Sequence, residues 1–240
     1  MIHYHGGPIT PAEVAEEFYS GRHAMVSFAE PRDIERAARN AQSFALDNGA
    51  FSLWRSGQPT DWPKYYTWVN QWRYHPGFDF AIIPDVIDGD ETANDALIDE
   101  WPFGHAGVPV WHLHESLERL YVMRHRWPRI ALGTSGKWAT PGTDAWWHRM
   151  GEVMETIGSG TGPVKLHGLR MLSVEIFPKL PLSSADSTNI ARNYALKKMG
   201  ISGAKWMADR IESFNSAEKW SGLPSNREFE WKVESCVLTN

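Results

Sequence analysis

Short, β-rich apolar runs alternate with amphipathic stretches along this chain. Residues 2–5, 24–28, 44–47, 78–84, 109–112, 129–133, 164–167 and 183–186 read as strands. Between them the spacing of apolar positions predicts helices near 11–20, 32–42, 61–73, 91–100, 115–126 and 143–157, a short one near 169–176, and another at 188–199. Start signals support several of these. Thr10-Pro11 offers a cap with proline at the first helical position, and Pro31 opens the next helix in the same way. In the 115–126 helix, Leu117, Leu120 and Tyr121 fall on one face. Eight alternating units imply a parallel sheet, and their number favours closure into a single (β/α)8 barrel of the TIM type, an α/β fold. An open doubly wound sheet is the alternative. Against it, no G-x-G-x-x-G follows the first strand, and Gly6-Gly7-Pro8 makes a poor phosphate loop. The barrel is expected over residues 1–202, with 203–240 a C-terminal tail, helical near 205–215, that packs on it.

Composition narrows the class. The length of 240 residues suits one such barrel, and 42% hydrophobic with 22% charged residues fits a soluble globular protein. No apolar run approaches the roughly 18–20 residues needed to span a bilayer. Met1-Ile2-His3-Tyr4-His5 lacks a basic region followed by an apolar core, so no signal peptide is expected and the cytoplasm is the expected location. Cys236 is the single cysteine, so neither an internal disulfide nor a cysteine-based zinc site can form within these residues. The net charge of −5 argues against non-specific nucleic-acid binding through overall charge but leaves room for a local basic groove. Arg119, Arg124, His125, Arg126 and Arg129 crowd one segment, and Lys197, Lys198 and Lys205 another; solvated helix faces are the simpler expectation. The 13 tryptophans are expected mostly to pack helices on the barrel, while exposed ones would suit stacking on bases or sugars.

Candidate chemistry sits at the strand ends. In such a barrel the site lies where the strands finish, which collects His5, Phe28, Asp47, Asp85, His112 with His114, Gly133-Thr134-Ser135, His167 and Asp186. A core would choose few of these, whereas acid/base chemistry needs acids and histidines with glycine giving a ligand room. Asp47 stands out, because an apolar strand delivers it directly into an Asn48-Gly49 turn followed by Ala50-Phe51. Asp186 reads equally well as a nucleophilic carboxylate and as a cap for the 188–199 helix. Asp85 after Pro84 could serve as a turn acid, as could Asp88 and Asp90 beside Gly89.

These residues, in this order, resemble the tRNA-guanine transglycosylase superfamily over roughly residues 2–195, most closely its short DNA-directed branch in phages and bacterial DNA-modification clusters. Asp47-Asn48-Gly49-Ala50-Phe51 resembles that family's Asp-Ser-Gly-Gly-Phe motif. Ile83-Pro84-Asp85 falls where those enzymes carry a base-recognising acid, and Val110-Trp111-His112-Leu113-His114 where they have a base-contacting strand. Ala131-Leu132-Gly133-Thr134-Ser135-Gly136 resembles their glycine-rich strand end. Lys165-Leu166-His167-Gly168-Leu169-Arg170 then leads to Ser184-Ala185-Asp186-Ser187, the position of their nucleophilic Asp. The tRNA enzymes carry a Cys-x-Cys-x-x-Cys plus His zinc site near the C-terminus. This chain has only Cys236, so no zinc subdomain is expected, which favours the DNA branch.

The resemblance implies exchange of guanine in DNA for a 7-deazaguanine base, with guanine as leaving group and neither a cofactor nor a metal. Asp186 would attack the sugar and Asp47 would be the general acid/base. Asp85 would accept hydrogen bonds from the guanine-like edge, and Gly133, Thr134 and Ser135 would offer backbone N–H groups to the base carbonyl. His112, His114, His167 and Phe51 complete the expected substrate site. The target base must leave its stack at a cost of a few kcal/mol, part of which a tryptophan or Phe51 at the mouth would offset by stacking. Two other readings compete. His3, His5, His112, His114 and Asp186 suggest the metal ring of an amidohydrolase-like barrel, since strand alternation points His3 and His5 the same way. A non-catalytic nucleic-acid-binding barrel is the other.

Overall fold

The computed structural model describes residues 1–197 and 200–223. Its strands and helices alternate as the apolar pattern requires: β1 (Ile2–Gly6), α1 (Ala12–Tyr19), β2 (His23–Ser27), α2 (Ile34–Asn40), β3 (Ser43–Asp47), α3 (Ala50–Ser56), α4 (Trp62–Trp72), β4 (Phe78–Ile82) and α5 (Glu91–Glu100). Then come β5 (Gly107–Val108), β6 (Val110–His112), α6 (Leu117–Arg126), β7 (Arg129–Gly133), α7 (Asp144–Gly158), β8 (Lys165–Gly168), β9 (Ser184–Ser187), α8 (Asn189–Lys197) and α9 (Gly200–Glu212). The strands form one parallel sheet in the order β5-β4-β3-β2-β1-β9-β8-β7-β6. Its two ends, β5 and β6, are halves of one extended segment divided by Pro109. Before the proline, the segment pairs with β4, where Ile83 N–H donates to Val108 O; after it, the segment pairs with β7. Proline has no N–H to give a ladder, so the switch of partner falls there. The result is a nearly closed TIM-type barrel, as the eight-unit pattern predicts.

Strand alternation splits the apolar residues into two cores. Tyr4, Met25, Ala45, Phe80, Ile82, Val108, Val110 and Ala131 fill the barrel interior. Their neighbours Val26, Phe44, Leu46, Ile83, Trp111, Leu132, Leu166 and Ala185 face outward and pack under the helices. Trp111 and Trp146 are fully enclosed and Trp101, Trp127 and Trp147 nearly so, in keeping with a packing role for tryptophan, whereas Trp54 and Trp206 are about half exposed.

Several expectations need correction. No α-helix forms over 169–176; turns and a single 3-10 turn at Phe177–Lys179 connect β8 to β9 instead. Helix α3 follows the Asp-Asn-Gly turn without having been anticipated. The C-terminal helix begins at Gly200 rather than near 205, so it crosses residue 202, and it packs on α1 and α8. On α6, Tyr121 faces solvent, and Leu120 and Met123 make the buried contact. The solvated face expected for that segment holds for His125 and Arg126, which are exposed, but not for Arg119 and Arg124. Arg119 is buried against Glu115 (2.6 Å) and Asp95 (2.7 Å), and Arg124 is buried with its guanidinium donating to the Gly162 carbonyl at 2.9 Å. Lys198 and Cys236 lie outside the described residues.

Candidate active site

One cavity of about 660 Å³ opens at the C-terminal ends of the strands. Asp47, Asp85 and Asp186 line it together with His112, Gly133, Thr134 and Phe51. Backbone geometry puts them there. Asp47 ends β3 on the inward phase, level with Ser27 of β2. Asp186, one residue before the end of β9, is on the same phase, and His112 lies beside Gly133 across the β6–β7 pair.

The Asp-Asn-Gly turn is built around close approach. Gly49 has φ +76°, and a Cβ there would meet the Ala29 backbone nitrogen at 2.8 Å. Asn48, read from sequence only as a turn residue, is 2% exposed and fully engaged. Its Oδ1 accepts from Ala50 N–H at 2.8 Å, while its Nδ2 donates to Ile83 O (2.8 Å) and Asp85 Oδ1 (2.7 Å). Asn48 therefore ties the end of β3 to the acid that follows β4. The signal was its place between a strand-end acid and a left-handed glycine.

Asp47 lies deep in the cavity, reached from the cavity side and enclosed by protein elsewhere. Burial pushes its carboxyl up to about 7; the charges of Asp186 and Asp85 push the same way, against the Ser27 hydroxyl and Gly49 N–H. No cation pairs with it among the described residues. It is a carboxylic acid that exchanges its proton near neutrality.

Asp85 is no turn acid. It is 7% exposed, and its second oxygen, Oδ2, is 2.8 Å from His112 Nε2. Burial alone would lower the His112 pKa, but the hydrogen bond and charge of Asp85, with Glu115 adding, outweigh it and raise the value. The other ring nitrogen, His112 Nδ1, is buried without a partner in the protein. Gly133 is what leaves that nitrogen room, because a Cβ there would meet it at 2.8 Å. Thr134 Oγ1, also on the lining, is buried without a hydrogen-bond partner too. The cavity thus presents polar groups that the fold itself does not use.

Asp186 does not cap α8, since Ser187 Oγ takes the Asn189 N–H at 3.0 Å. Instead Asp186 Oδ1 accepts from Arg170 N–H at 2.8 Å. Arg170 reaches that position with φ +60°, the one non-glycine residue at positive φ among those described. The backbone strain this implies coincides with the site. Its guanidinium lies 4.0 Å from the centre of the Phe51 ring. Phe51 is therefore already covered on one face, which argues against it as a free stacking surface.

Three expected residues stand outside the lining. His167 lies beneath the cavity floor, fully buried, with Nδ1 2.9 Å from Ser184 Oγ and Nε2 3.5 Å from Asp186 Oδ1. His114 is exposed and stacks on the outer side of His112 at 5.6 Å. Ser135 spends its hydroxyl on His114 Nδ1 at 2.6 Å. Residues missed by the sequence reading are Ser27, Asn48, Arg170 and Arg192, together with the Gly6-Gly7-Pro8 loop, all on the lining. The loop is held by Asp33, which accepts from Ile9 N–H at 2.8 Å.

The histidines of β1 face away from this cavity. His3 Nε2 is 3.0 Å from Phe214 O, and His5 Nε2 is 2.7 Å from Glu212 on α9. They do share a side, as alternation requires, but it is the helix side, so the ring of ligands that a metal reading needs is not assembled. Among the described residues no group of three His, Cys, Asp or Glu side chains has metal-binding geometry, and no helix is long and apolar enough to cross a membrane. The chain matches no protein-family model, no curated protein and no solved structure.

Proposed function

We propose that this chain is a guanine transglycosylase that exchanges guanine in DNA for a 7-deazaguanine base through a covalent Asp186–sugar intermediate. The observation that carries the reading is a carboxyl titrating at about 7, Asp47, placed in one cavity within the field of a second carboxylate, Asp186. A pair with unlike environments is what glycosidic chemistry uses, one group attacking the sugar and the other handling the proton.

The steps balance on this chain's own residues. Asp186 attacks C1′, the bond from C1′ to the base nitrogen breaks, and its electron pair leaves with the base. The Asp47 proton neutralises the departing guanine. The incoming base then loses its proton to the Asp47 carboxylate and attacks C1′, and Asp186 leaves as a carboxylate. Both acids return to their starting states. Asp85 and His112 suit the base edge. Each Asp85 oxygen keeps one lone pair for a ring N–H or an amino group, and the open His112 Nδ1 donates to a carbonyl when the ring is protonated, the form that Asp85 favours. The preference for DNA rests on the single cysteine, which leaves no zinc site of the tRNA-enzyme kind within these 240 residues.

Incubation with DNA, with tRNA and with candidate 7-deazaguanines, followed by mass spectrometry of the nucleosides, tests the proposal. The expected product is a 7-deazaguanine nucleoside in DNA. Exchange into tRNA alone would sink the DNA assignment. Tight DNA binding without exchange of any supplied base would favour the non-catalytic barrel.

A further inference from the structure

Arginines on this protein are mostly neutralised. Arg22, Arg119, Arg126, Arg129 and Arg149 each lie within 4.0 Å of a carboxylate. Arg73 and Arg210 lie over aromatic rings instead, and Arg124 donates to a backbone carbonyl; three more unpaired arginines sit together at the cavity mouth. Arg55, Arg170 and Arg192 have no carboxylate within that distance among the described residues, although the chain carries five more acidic than basic side chains. They come from three separate segments: α3, the turn after β8, and α8. Arg170 and Arg192 line the cavity, and Arg55 lies one turn along α3 from Phe51, on the same face. Burial lowers the Arg170 pKa most; the charge of Asp186 works against it, and Arg192 and Arg55 add smaller lowering effects. Asp186 is the one carboxylate whose charge favours Arg170, so three like charges gather around a single acid, an arrangement that a further anion would relieve.

An aromatic surface adjoins this cluster. Trp54 is 49% exposed and its ring lies 5.9 Å from that of Phe51, whose other contact is the Arg170 guanidinium. Phe51, Trp54 and Arg55 thus make one turn of α3 into a strip of rings and positive charge beside the acidic cavity. Alternating cations and an open ring match a single nucleic-acid strand, whose phosphates and bases alternate on the same scale. A free phosphate or a mononucleotide would use the arginines and leave Trp54 exposed. A duplex would keep its bases stacked inside and give Trp54 nothing to cover.

We infer that the rim formed by Trp54, Arg55, Arg170 and Arg192 is a docking track for single-stranded or locally opened DNA, with the guanidiniums on phosphates flanking the target nucleotide and Trp54 stacked on a neighbouring base. The inference rests on the transglycosylase reading for what happens to the target base, and on the rim alone for how the strand is held.

The test is fluorescence anisotropy of the full chain with a labelled single-stranded DNA oligonucleotide containing one guanine, titrated at several salt concentrations. The matching duplex and the RNA of the same sequence are the competitors. Replacing Arg55 and Arg192 together by Gln is expected to lower affinity at least about tenfold at low salt and to reduce the salt slope by roughly 1.4, two phosphate contacts at about 0.7 each. Trp54→Ala is expected to lower affinity about 5- to 100-fold with the salt slope unchanged. Arg170→Gly keeps the left-handed backbone that serves Asp186 and should lower both affinity and slope. Circular dichroism of each variant checks that the fold persists. Wild-type affinity and slope in all three variants, or tighter binding of the duplex or of RNA, would overturn the inference. The two proposals fail separately. Base exchange by a protein whose rim variants bind normally removes the track and keeps the enzyme. Rim-dependent binding without exchange of any base removes the enzyme and keeps the track.

Discussion

At the N-terminal end of the barrel, polar side chains close on one another. Tyr4 donates to Asp79 at 2.5 Å, Arg129 meets the same carboxylate at 3.2 Å and rests over Phe80, and His23 Nδ1 is 2.8 Å from Ser43 Oγ. At the C-terminal end, Asp47 and Asp186 have no cation within ion-pair distance among the described residues except the buried His167, and His112 and Thr134 keep polar atoms unmatched. Both ends are buried or half-buried and both are built from strand residues of the same phase. The difference is in satisfaction. A polar layer that serves the fold pairs its own groups, whereas one kept for a ligand leaves them open at a cost in stability. The comparison predicts that substitutions at the two ends change different observables.

The sharpest break is expected at Asp186. Asp186→Asn keeps an oxygen for the Arg170 N–H but cannot attack a sugar. Exchange activity should fall by about 10⁴ or more, and the covalent DNA adduct on denaturing gels should vanish while the melting temperature holds. An adduct formed as readily as in wild type removes Asp186 from the nucleophile role.

Asp47 should affect both observables. Asp47→Asn is expected to lower kcat by roughly 10²–10⁴ through loss of the proton donor. The sign of its stability effect follows from the raised pKa. A carboxyl at about 7 when folded and near 4 when unfolded binds its proton more tightly in the native state. Its penalty is absent below pH 4, grows as pH rises to 7, and is constant above, reaching on the order of 4 kcal/mol. The Asn variant lacks it, so it should gain stability over wild type between pH 5 and pH 8. Chemical denaturation at those two values checks the sign. A variant equally destabilised at both would show that Asp47 is a structural residue like those at the opposite end.

The barrel was legible because its signal is periodic and repeated: alternating runs of strand and helix length recur throughout the chain, and few folds accommodate that. The acids were legible for a related reason, since a fold that places its site at strand ends converts strand prediction into site prediction. Side of the barrel was the harder variable. His3 and His5 lie on β1 one residue out of phase with Tyr4, and only three-dimensional packing shows that Tyr4 takes the interior. His167 and Asp186 both face inward but at different depths, which strand position alone ranks poorly. Asn48, Arg170 and Arg192 act through a turn, a left-handed backbone and a helix that crosses the mouth, and none of these leaves a periodic mark. Helix α3 was hidden because seven residues beginning at a glycine turn contain too few apolar repeats to register.

A milder contrast comes from Tyr4→Phe. The ring and its packing against Phe80 and His167 stay, and the hydroxyl's bond to Asp79 is lost together with its contact to Ser43. Stability should drop by about 1–3 kcal/mol, the usual range for a hydrogen bond to a charged group, with kcat and KM unchanged. Thermal melts and exchange kinetics on one preparation test the pairing of these outcomes. A large fall in kcat with little loss of stability would mean that the N-terminal layer communicates with the mouth, and the division between the two ends would fail.

His114 gives the smallest and most discriminating effect. Its ring stacks on the outside of His112, and its nitrogens are taken by Ser135 and by the Gly89 carbonyl at 3.1 Å, so it touches the cavity only through its neighbour. His112 is also fixed from two other directions, by Asp85 on Nε2 and by Glu115, which accepts its backbone N–H at 2.9 Å. Removing one support of three should leave the imidazole nearly in place. A stacked ring pair contributes about 0.5–1.5 kcal/mol, which limits the change in base affinity on His114→Ala to about tenfold even if all of it reaches the cavity. The expected result is a rise in KM for the base well under that limit, with kcat unaltered. The variant also frees the Ser135 hydroxyl, so His114→Ala combined with Ser135→Ala separates loss of stacking from a new polar group near the mouth. A loss of kcat comparable to that of Asp47→Asn would place His114 in the proton-handling set, and the boundary between open and satisfied groups would then have to include the outer side of His112.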